Sequence, residues 1–146
     1  MIRNKPLLAA LAIGGALAAT AFAGPALADD TVHLATTLDG SSGGDADGTG
    51  AFAAEIDPDT GDLCYTLTVK AIATPTAAHI HKGAAGTDGD VVIPLNVTGT
   101  DGDECSAVQH EVAKAILANP AGYYVNVHTA DFPKGAIRGQ LAVAAK

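Results

Sequence analysis

Two histidines separated by a single residue are the feature of this sequence with the clearest chemical potential. His79 and His81 lie in the stretch 77-AAHIHKGAAGTDGDVVIPL-95, and a third histidine, His128, follows much later in the chain. A β-strand directs alternate side chains to the same face, so His79 and His81 would point the same way. Three imidazoles suit zinc or copper and leave a fourth coordination position open for water or a substrate. A metal site therefore requires that the fold bring His128 to the other two.

The third histidine lies in the segment 123-YYVNVHT-129, which alternates in the same way. Val125 and Val127 are the natural core residues of this segment, so Asn126 and His128 share the opposite face. If this segment pairs with the His-Ile-His strand, the three imidazoles converge on one point of an accessible surface or a shallow cleft. The sequence thus predicts a copper or zinc site that weakens in mild acid, because imidazoles take up protons near neutral pH.

The histidines also admit a purely structural interpretation. His-x-His arises by chance in many strands, and imidazoles can instead hydrogen-bond to loop carbonyls and carboxylates, which would fix the glycine-rich turn that follows. The two other histidines lack the pattern. His33 alternates with apolar neighbours, and His110 falls on a predicted helix away from its apolar stripe, so we expect both on the surface.

Catalytic constellations are hard to assemble from the remaining residues. No serine or cysteine stands in a nucleophile elbow. The paired acids of a glycosidase cannot be chosen from three glutamates (Glu55, Glu104, Glu111) in a chain with no tryptophan and 4% aromatics. Arg138 and Asn126 are candidates for ligand binding, although a salt bridge from Arg138 to one of the many aspartates is the favoured alternative. The sequence predicts a protein that is not an enzyme.

Residues 1–28 have the pattern of a secretory signal. Arg3 and Lys5 precede an apolar stretch over residues 7–22, and Ala26-Leu27-Ala28 supplies the small-x-small site that signal peptidase accepts. We expect cleavage after Ala28, secretion of a single domain over residues 29–146, and no membrane insertion after cleavage.

The charge of the exported part excludes some partners. Removal of the two basic residues of the signal lowers the number of Lys and Arg from 8 to 6 against 16 Asp and Glu, a net charge of −10. Nucleic acids and anionic membranes attract clustered lysines and arginines, so neither is expected as a partner. The acidic residues concentrate in glycine-rich turns, which indicates a solvated surface.

The chain has two cysteines, Cys64 and Cys105, and both lie in the part predicted to be exported. An even number of cysteines in an oxidising compartment favours one disulfide. Two free thiols or a metal site are the alternatives, and neither fits as well because there is no Cys-x-x-Cys spacing.

Short runs of alternating apolar and polar residues, separated by Gly, Asp and Pro, indicate an all-β domain. In one stretch the apolar residues instead recur at helical spacing, with Asp103 or Ser106 as the candidate cap and Asn119-Pro120 as the stop. The residues of this apolar stripe are Val108, Val112, Ala115 and Ile116. Together these patterns predict an antiparallel β-sandwich or barrel with one short helix. The predicted elements are strands around residues 32–38, 52–56, 63–69, 77–81, 91–97 (with Pro94 at an edge or bulge), 122–130 and 135–144, and a helix over 106–118.

Five segments of the chain carry a recognisable pattern: 48-GTGAF-52, 63-LCYTLTV-69, 78-AHIHKGAAGTDGDVV-92, 124-YVNVHT-129 and 133-PKGAIRGQL-141. Together they resemble the CHRD domain, which is named after chordin and also found in secreted bacterial proteins. The resemblance implies an extracellular, immunoglobulin-like β-sandwich or barrel that binds an extracellular protein or envelope component and does not catalyse a reaction.

The chain departs from the family pattern in two places. Residues 39–48 replace an Asn-Glu-Val-Pro-Pro-like segment, and the cysteine pair looks particular to this sequence, where it would join the third strand to the start of the helix. The His-x-His-x-Gly string is also similar to the copper strand of copper/zinc superoxide dismutases. The bridging histidine, the zinc aspartate and a fourth copper histidine are missing, so copper or zinc binding remains as an alternative function while dismutase activity is disfavoured.

Overall fold

A computed structural model describes residues 31–97 and 103–145, so the predicted signal lies outside the described residues. Within those residues one α-helix accompanies nine strands. The strands are β1 (Val32–Asp39), β2 (Thr49–Ile56), β3 (Asp62–Lys70), β4 (Pro75–Lys82), β5 (Val91–Leu95), β6 (Glu104–Ala107), β7 (Tyr123–Thr129), β8 (Ile137–Gln140) and β9 (Ala142–Val143). The helix is α1 (His110–Ala118), and a 3₁₀ turn (Pro120–Gly122) follows it.

The strands form one antiparallel sheet in the order β5-β4-β7-β8-β1-β2-β3-β6, with β9 also paired to β1. The sheet curls into a half-barrel, which confirms the predicted all-β class with one short helix. Because β5 and β6 are the outermost strands of this order, Pro94 lies on an edge strand, as predicted, and edge strands are where sheets tolerate proline.

Alternation places one face of the sheet in the core. On β4, Ala78 and Ile80 are buried inward, and on β7 Val125 and Val127 are each 0% exposed. Further core residues from β1, β2 and β3 follow the same period of two: Leu34, Leu38, Phe52, Ala54, Ile56, Leu63, Tyr65 and Leu67. The residues between them point to the outer face, where the histidines of β4 and β7 lie.

The predicted start of the helix is wrong. Residues 104–107 form β6, although the predicted helix includes residues 106 and 107. β6 pairs with β3 so that Cys105 stands opposite Cys64. The two cysteines form the predicted disulfide, which therefore joins β3 to the edge strand β6 and not to the start of the helix. A strand ladder and a covalent bond outweigh the weak helical propensity of a four-residue stretch.

Helix α1 also begins without a side-chain cap. Its N-cap is Gln109, which makes no side-chain capping bond, so neither Asp103 nor Ser106 has the predicted role. Ala113 and Ile116 are the residues that α1 buries completely, whereas Ala115, assigned to the apolar stripe, is exposed.

The last predicted strand is divided. β8 and β9 are separated by Leu141, which is 1% exposed and donates its N–H to the carbonyl of Tyr123. This break redirects the chain from β7 to β1, so that β8 lies between them and β9 continues along β1.

Candidate metal centre

The structure brings His79, His81 and His128 together on the outer face. β4 and β7 are antiparallel neighbours, with Ala77 opposite His128 and His79 opposite Asn126. One ring nitrogen from each histidine lies within 4.8 Å of the other two. Strand alternation and one strand pairing therefore account for the cluster.

In two of the three rings, Nδ1 hydrogen-bonds to a backbone carbonyl. Nδ1 of His81 lies 2.8 Å from the Gly89 oxygen, and Nδ1 of His128 lies 3.0 Å from the Pro133 oxygen. A carbonyl only accepts hydrogen bonds, so each Nδ1 carries the hydrogen and each neutral ring keeps its lone pair on Nε2. Bonds of this kind orient the histidine ligands of protein metal sites.

The third ring faces one of these lone pairs. Nδ1 of His79 lies 3.2 Å from Nε2 of His128, and in the metal-free chain it donates its hydrogen there. Two nitrogens bound to one tetrahedral ion at about 2.0–2.1 Å would lie roughly 3.3 Å apart. The observed separation is therefore also that of two ligands, provided that His79 moves its proton to Nε2.

Nε2 of His81 is the least satisfied atom of the cluster. His81 is 9% exposed, and this nitrogen is buried with no hydrogen-bond partner among the described residues. A buried polar atom without a partner costs about 1–3 kcal/mol. A site that held a cation would remove this cost.

An aromatic stack supports His81 from one side. Its ring lies parallel to that of Tyr124, with 4.9 Å between centroids, and the Arg138 guanidinium lies 3.8 Å from the Tyr124 centroid on the ring face. Arg138 also pairs with Asp88 at 3.1 Å, which confirms the salt bridge favoured from the sequence. The Tyr124 hydroxyl accepts the N–H of Gly89, the residue whose carbonyl holds His81.

The environment of His79 keeps its imidazole neutral. Burial is the main cause that lowers the pKa of His79 below its usual 6.5, and the neighbouring His128 and His81 lower it further. A neutral imidazole is the form that binds metal ions.

We expect the metal-free protein to lose stability as the pH falls from about 7.5 to about 5.5. The unfolded chain takes up a proton at His79 near pH 6.5, whereas the folded chain takes it up only at lower pH, so the unfolded state binds more protons in this interval. Urea unfolding at several pH values, compared with a His79→Gln variant, measures the effect. Parallel pH profiles for the two proteins would show that His79 contributes nothing.

The other candidate residues lie elsewhere. His33 pairs with Glu55 at 3.5 Å on β1 and β2, and His110 is exposed at the start of α1, so both are at the surface as predicted. Asn126 is 4% exposed and donates Nδ2 to the Lys134 carbonyl at 3.1 Å. It lies beside the histidine cluster and is not part of it.

Sequence reasoning missed the support of the cluster. The alternation of β7 that predicts Asn126 and His128 on one face also places Tyr124 there, so this residue could have been found. The carbonyls of Gly89 and Pro133 could not, because their direction depends on how two loops fold back over the sheet.

The family model of the CHRD domain matches residues 34–141, which is most of the chain and includes all three clustered histidines. No curated protein and no solved structure gives a significant match. In the part of the chain that the structure describes, no helix has the length and apolar character to cross a membrane. The domain match and the disulfide fit an extracellular protein of a binding type. The length of the matched region establishes that the chain belongs to the CHRD domain family.

Proposed function

We propose that this chain is a secreted CHRD-domain binding module whose ligand is a copper or zinc ion held by His79, His81 and His128. The observation that carries the proposal is that the three histidines each offer a ring nitrogen within 4.8 Å of the other two, and that Nε2 of His81 is buried with no partner among the described residues. An ion at this point would satisfy the orphaned nitrogen.

The hydrogen bonds to loop carbonyls support this function and do not compete with it. They account for the Nδ1 atoms of His81 and His128, which is the structural role considered from the sequence. They leave the Nε2 lone pair of each ring on the side of the cluster: that of His81 has no partner among the described residues, and that of His128 accepts the hydrogen of His79 in the metal-free chain. Because the same bonds hold those lone pairs in a fixed direction, a structural role and a ligand role coexist.

The donor set indicates the class of ion. Three imidazoles favour zinc or copper over calcium and magnesium, which take oxygen ligands. Thiolate ligands do not arise, because Cys64 and Cys105 form the disulfide. Three protein ligands also leave one coordination position for water or another group, the pattern of an open zinc site.

Membership of the family favours a second candidate function in which the domain binds an extracellular protein or an envelope component without catalysis. The two functions are compatible, since the histidines occupy one part of the outer face. Export through the signal over residues 1–28 is part of the proposal in either case.

Titration of metal-free protein with Cu(II) and with Zn(II) by calorimetry tests the proposed function. We expect one ion per chain with micromolar or tighter affinity, about −8 kcal/mol or better. A His33→Ala/His110→Ala double variant is the matched control, because it removes two histidines and keeps the cluster. The absence of saturable binding, or its loss in the control, would contradict the proposal.

A further inference from the structure

We propose that a second site, independent of the metal site, binds a small free α-amino acid as its zwitterion. The site is a cavity of about 170 Å³ on the outer face, between residues 40–44 and residues 134–136, which we call the amide pocket. Its polar side chains are those of Asp39, Ser42, Asp88, Asn126, Lys134 and Arg138.

Three of these residues form a row across neighbouring strands. Asn126 on β7 stands opposite Arg138 on β8, and Arg138 stands opposite Asp39 on β1. Side chains directly opposite each other in an antiparallel pair have Cβ atoms about 4.5–5.5 Å apart. The floor of the pocket thus presents an amide, a guanidinium and a carboxylate in succession.

The amide has an unsatisfied acceptor. Nδ2 of Asn126 donates to the Lys134 carbonyl, which fixes the orientation of the side chain, and Oδ1 is buried with no hydrogen-bond partner among the described residues. The amide lies directly against Gly135, where an added Cβ would come within 2.3 Å of Oδ1. A hydrogen-bond donor on a ligand would satisfy this acceptor.

The charge of Asp39 favours a positively charged hydrogen-bond donor next to this residue in the amide pocket. Oδ1 of Asp39 accepts the backbone N–H and the hydroxyl of Ser41, and these bonds lower the pKa of the Asp39 carboxyl below its usual range. Asp39 is therefore a carboxylate at neutral pH. An ammonium group beside this carboxylate would meet an opposite charge, and a ligand N–H that reaches Oδ1 of Asn126 would satisfy the unpartnered acceptor.

The guanidinium suits the other end of the ligand. Of its five N–H groups, Arg138 uses one for Asp88 and one for the Thr87 carbonyl, so it keeps donors for a carboxylate. The pocket as a whole has two acidic and two basic side chains. A simple cation or a simple anion would meet two like charges, whereas a zwitterion meets an opposite charge at each end.

The volume limits the size of the ligand. A water molecule occupies about 30 Å³ of the liquid, so the pocket has space for roughly five or six waters. An amino acid of the size of glycine, alanine or serine fits that space.

Ligand-observed NMR or calorimetry tests the proposal on the full protein after passage over a chelating resin, because free amino acids bind copper and zinc. We expect saturable binding of glycine, L-alanine or L-serine. Glycinamide lacks the carboxylate and N-acetylglycine lacks the ammonium, so each should bind at least about tenfold more weakly than glycine. Equal binding of either analogue, or no saturable binding of any amino acid, would overturn the site.

The substitution Asp39→Asn gives a second measurement that leaves the core intact, because Asp39 is exposed. We expect it to weaken amino-acid binding at least about tenfold by loss of the carboxylate. Glu55→Gln is the matched control, since it removes a carboxylate from the neighbouring strand away from the pocket. Unchanged affinity in Asp39→Asn would contradict the proposal. Metal binding does not enter this experiment, so its outcome is separate from that of the proposed function.

Discussion

Replacing His128 by Ala is expected to lower the affinity for Cu(II) or Zn(II) by at least about 100-fold. Loss of a residue that only hydrogen-bonds to a metal ligand already lowers metal affinity by about 10–100-fold. His128 would itself be a ligand, and its Nε2 lies 3.2 Å from Nδ1 of His79. Calorimetric titration of the variant beside the unchanged protein measures the loss. The same change should remove the stabilisation by metal. At an ion concentration 100 times the dissociation constant, this stabilisation amounts to about 2.7 kcal/mol, or about 10 °C in melting temperature for a domain of this size.

The matched control for this experiment is His33→Ala. His33 is also a histidine on the sheet, where it pairs with Glu55 and lies on β1, a strand that β8 separates from β7. It should bind metal like the unchanged protein. If His128→Ala binds as tightly as His33→Ala, the imidazole of His128 is not a ligand. If it melts several degrees lower in the absence of metal and binds no worse, the role of His128 is structural only.

We expect removal of the disulfide to lower the free energy of unfolding by about 4 kcal/mol. The bond closes a loop with a sequence separation of 41, and in the chain-entropy model a crosslink of this span restricts the unfolded chain by that amount. It also attaches the four-residue edge strand β6 to β3. Urea unfolding of a Cys64→Ala/Cys105→Ala double variant measures the loss.

Thr66→Ala is the control, because it shortens a half-buried side chain on the same strand, β3, without cutting a crosslink. We expect it to change the unfolding free energy by less than about 1 kcal/mol. Metal affinity should persist in the double variant, since β3 and β6 lie at the opposite end of the strand order from β4. A loss below about 1 kcal/mol in the double variant would contradict the stabilising role of the disulfide.

Strand alternation predicts much of the candidate site. A period of two assigns His79 and His81 to one face, and the apolar Val125 and Val127 assign His128 to the corresponding face of another segment. That these two segments pair depends on the topology of the whole sheet, which local patterns do not encode. The CHRD-like motifs indicate the fold class, but only the structure shows that β4 and β7 are paired in the register that brings His128 to His79 and His81.

The errors have a common physical cause. Residues 104–107 have a local sequence compatible with a helix. In the structure they instead form backbone hydrogen bonds with β3, and Cys105 forms the disulfide with Cys64. Likewise, the carbonyls that orient His81 and His128 belong to loops whose path is set by distant contacts, such as the bonds from Arg138 to Thr87 and from Gln140 to Gly83. Long-range contacts decide these features, so sequence periodicity cannot show them.

The central claim is that three imidazoles hold one ion, and anomalous diffraction from crystals of the zinc-loaded protein tests it most directly. We predict a single strong peak at the zinc edge, at about 2.0–2.1 Å from Nδ1 of His79 and from Nε2 of both His81 and His128. A peak only among the surface aspartates would contradict the claim. So would the absence of a peak at the three histidines while His79 and His128 remain hydrogen-bonded to each other.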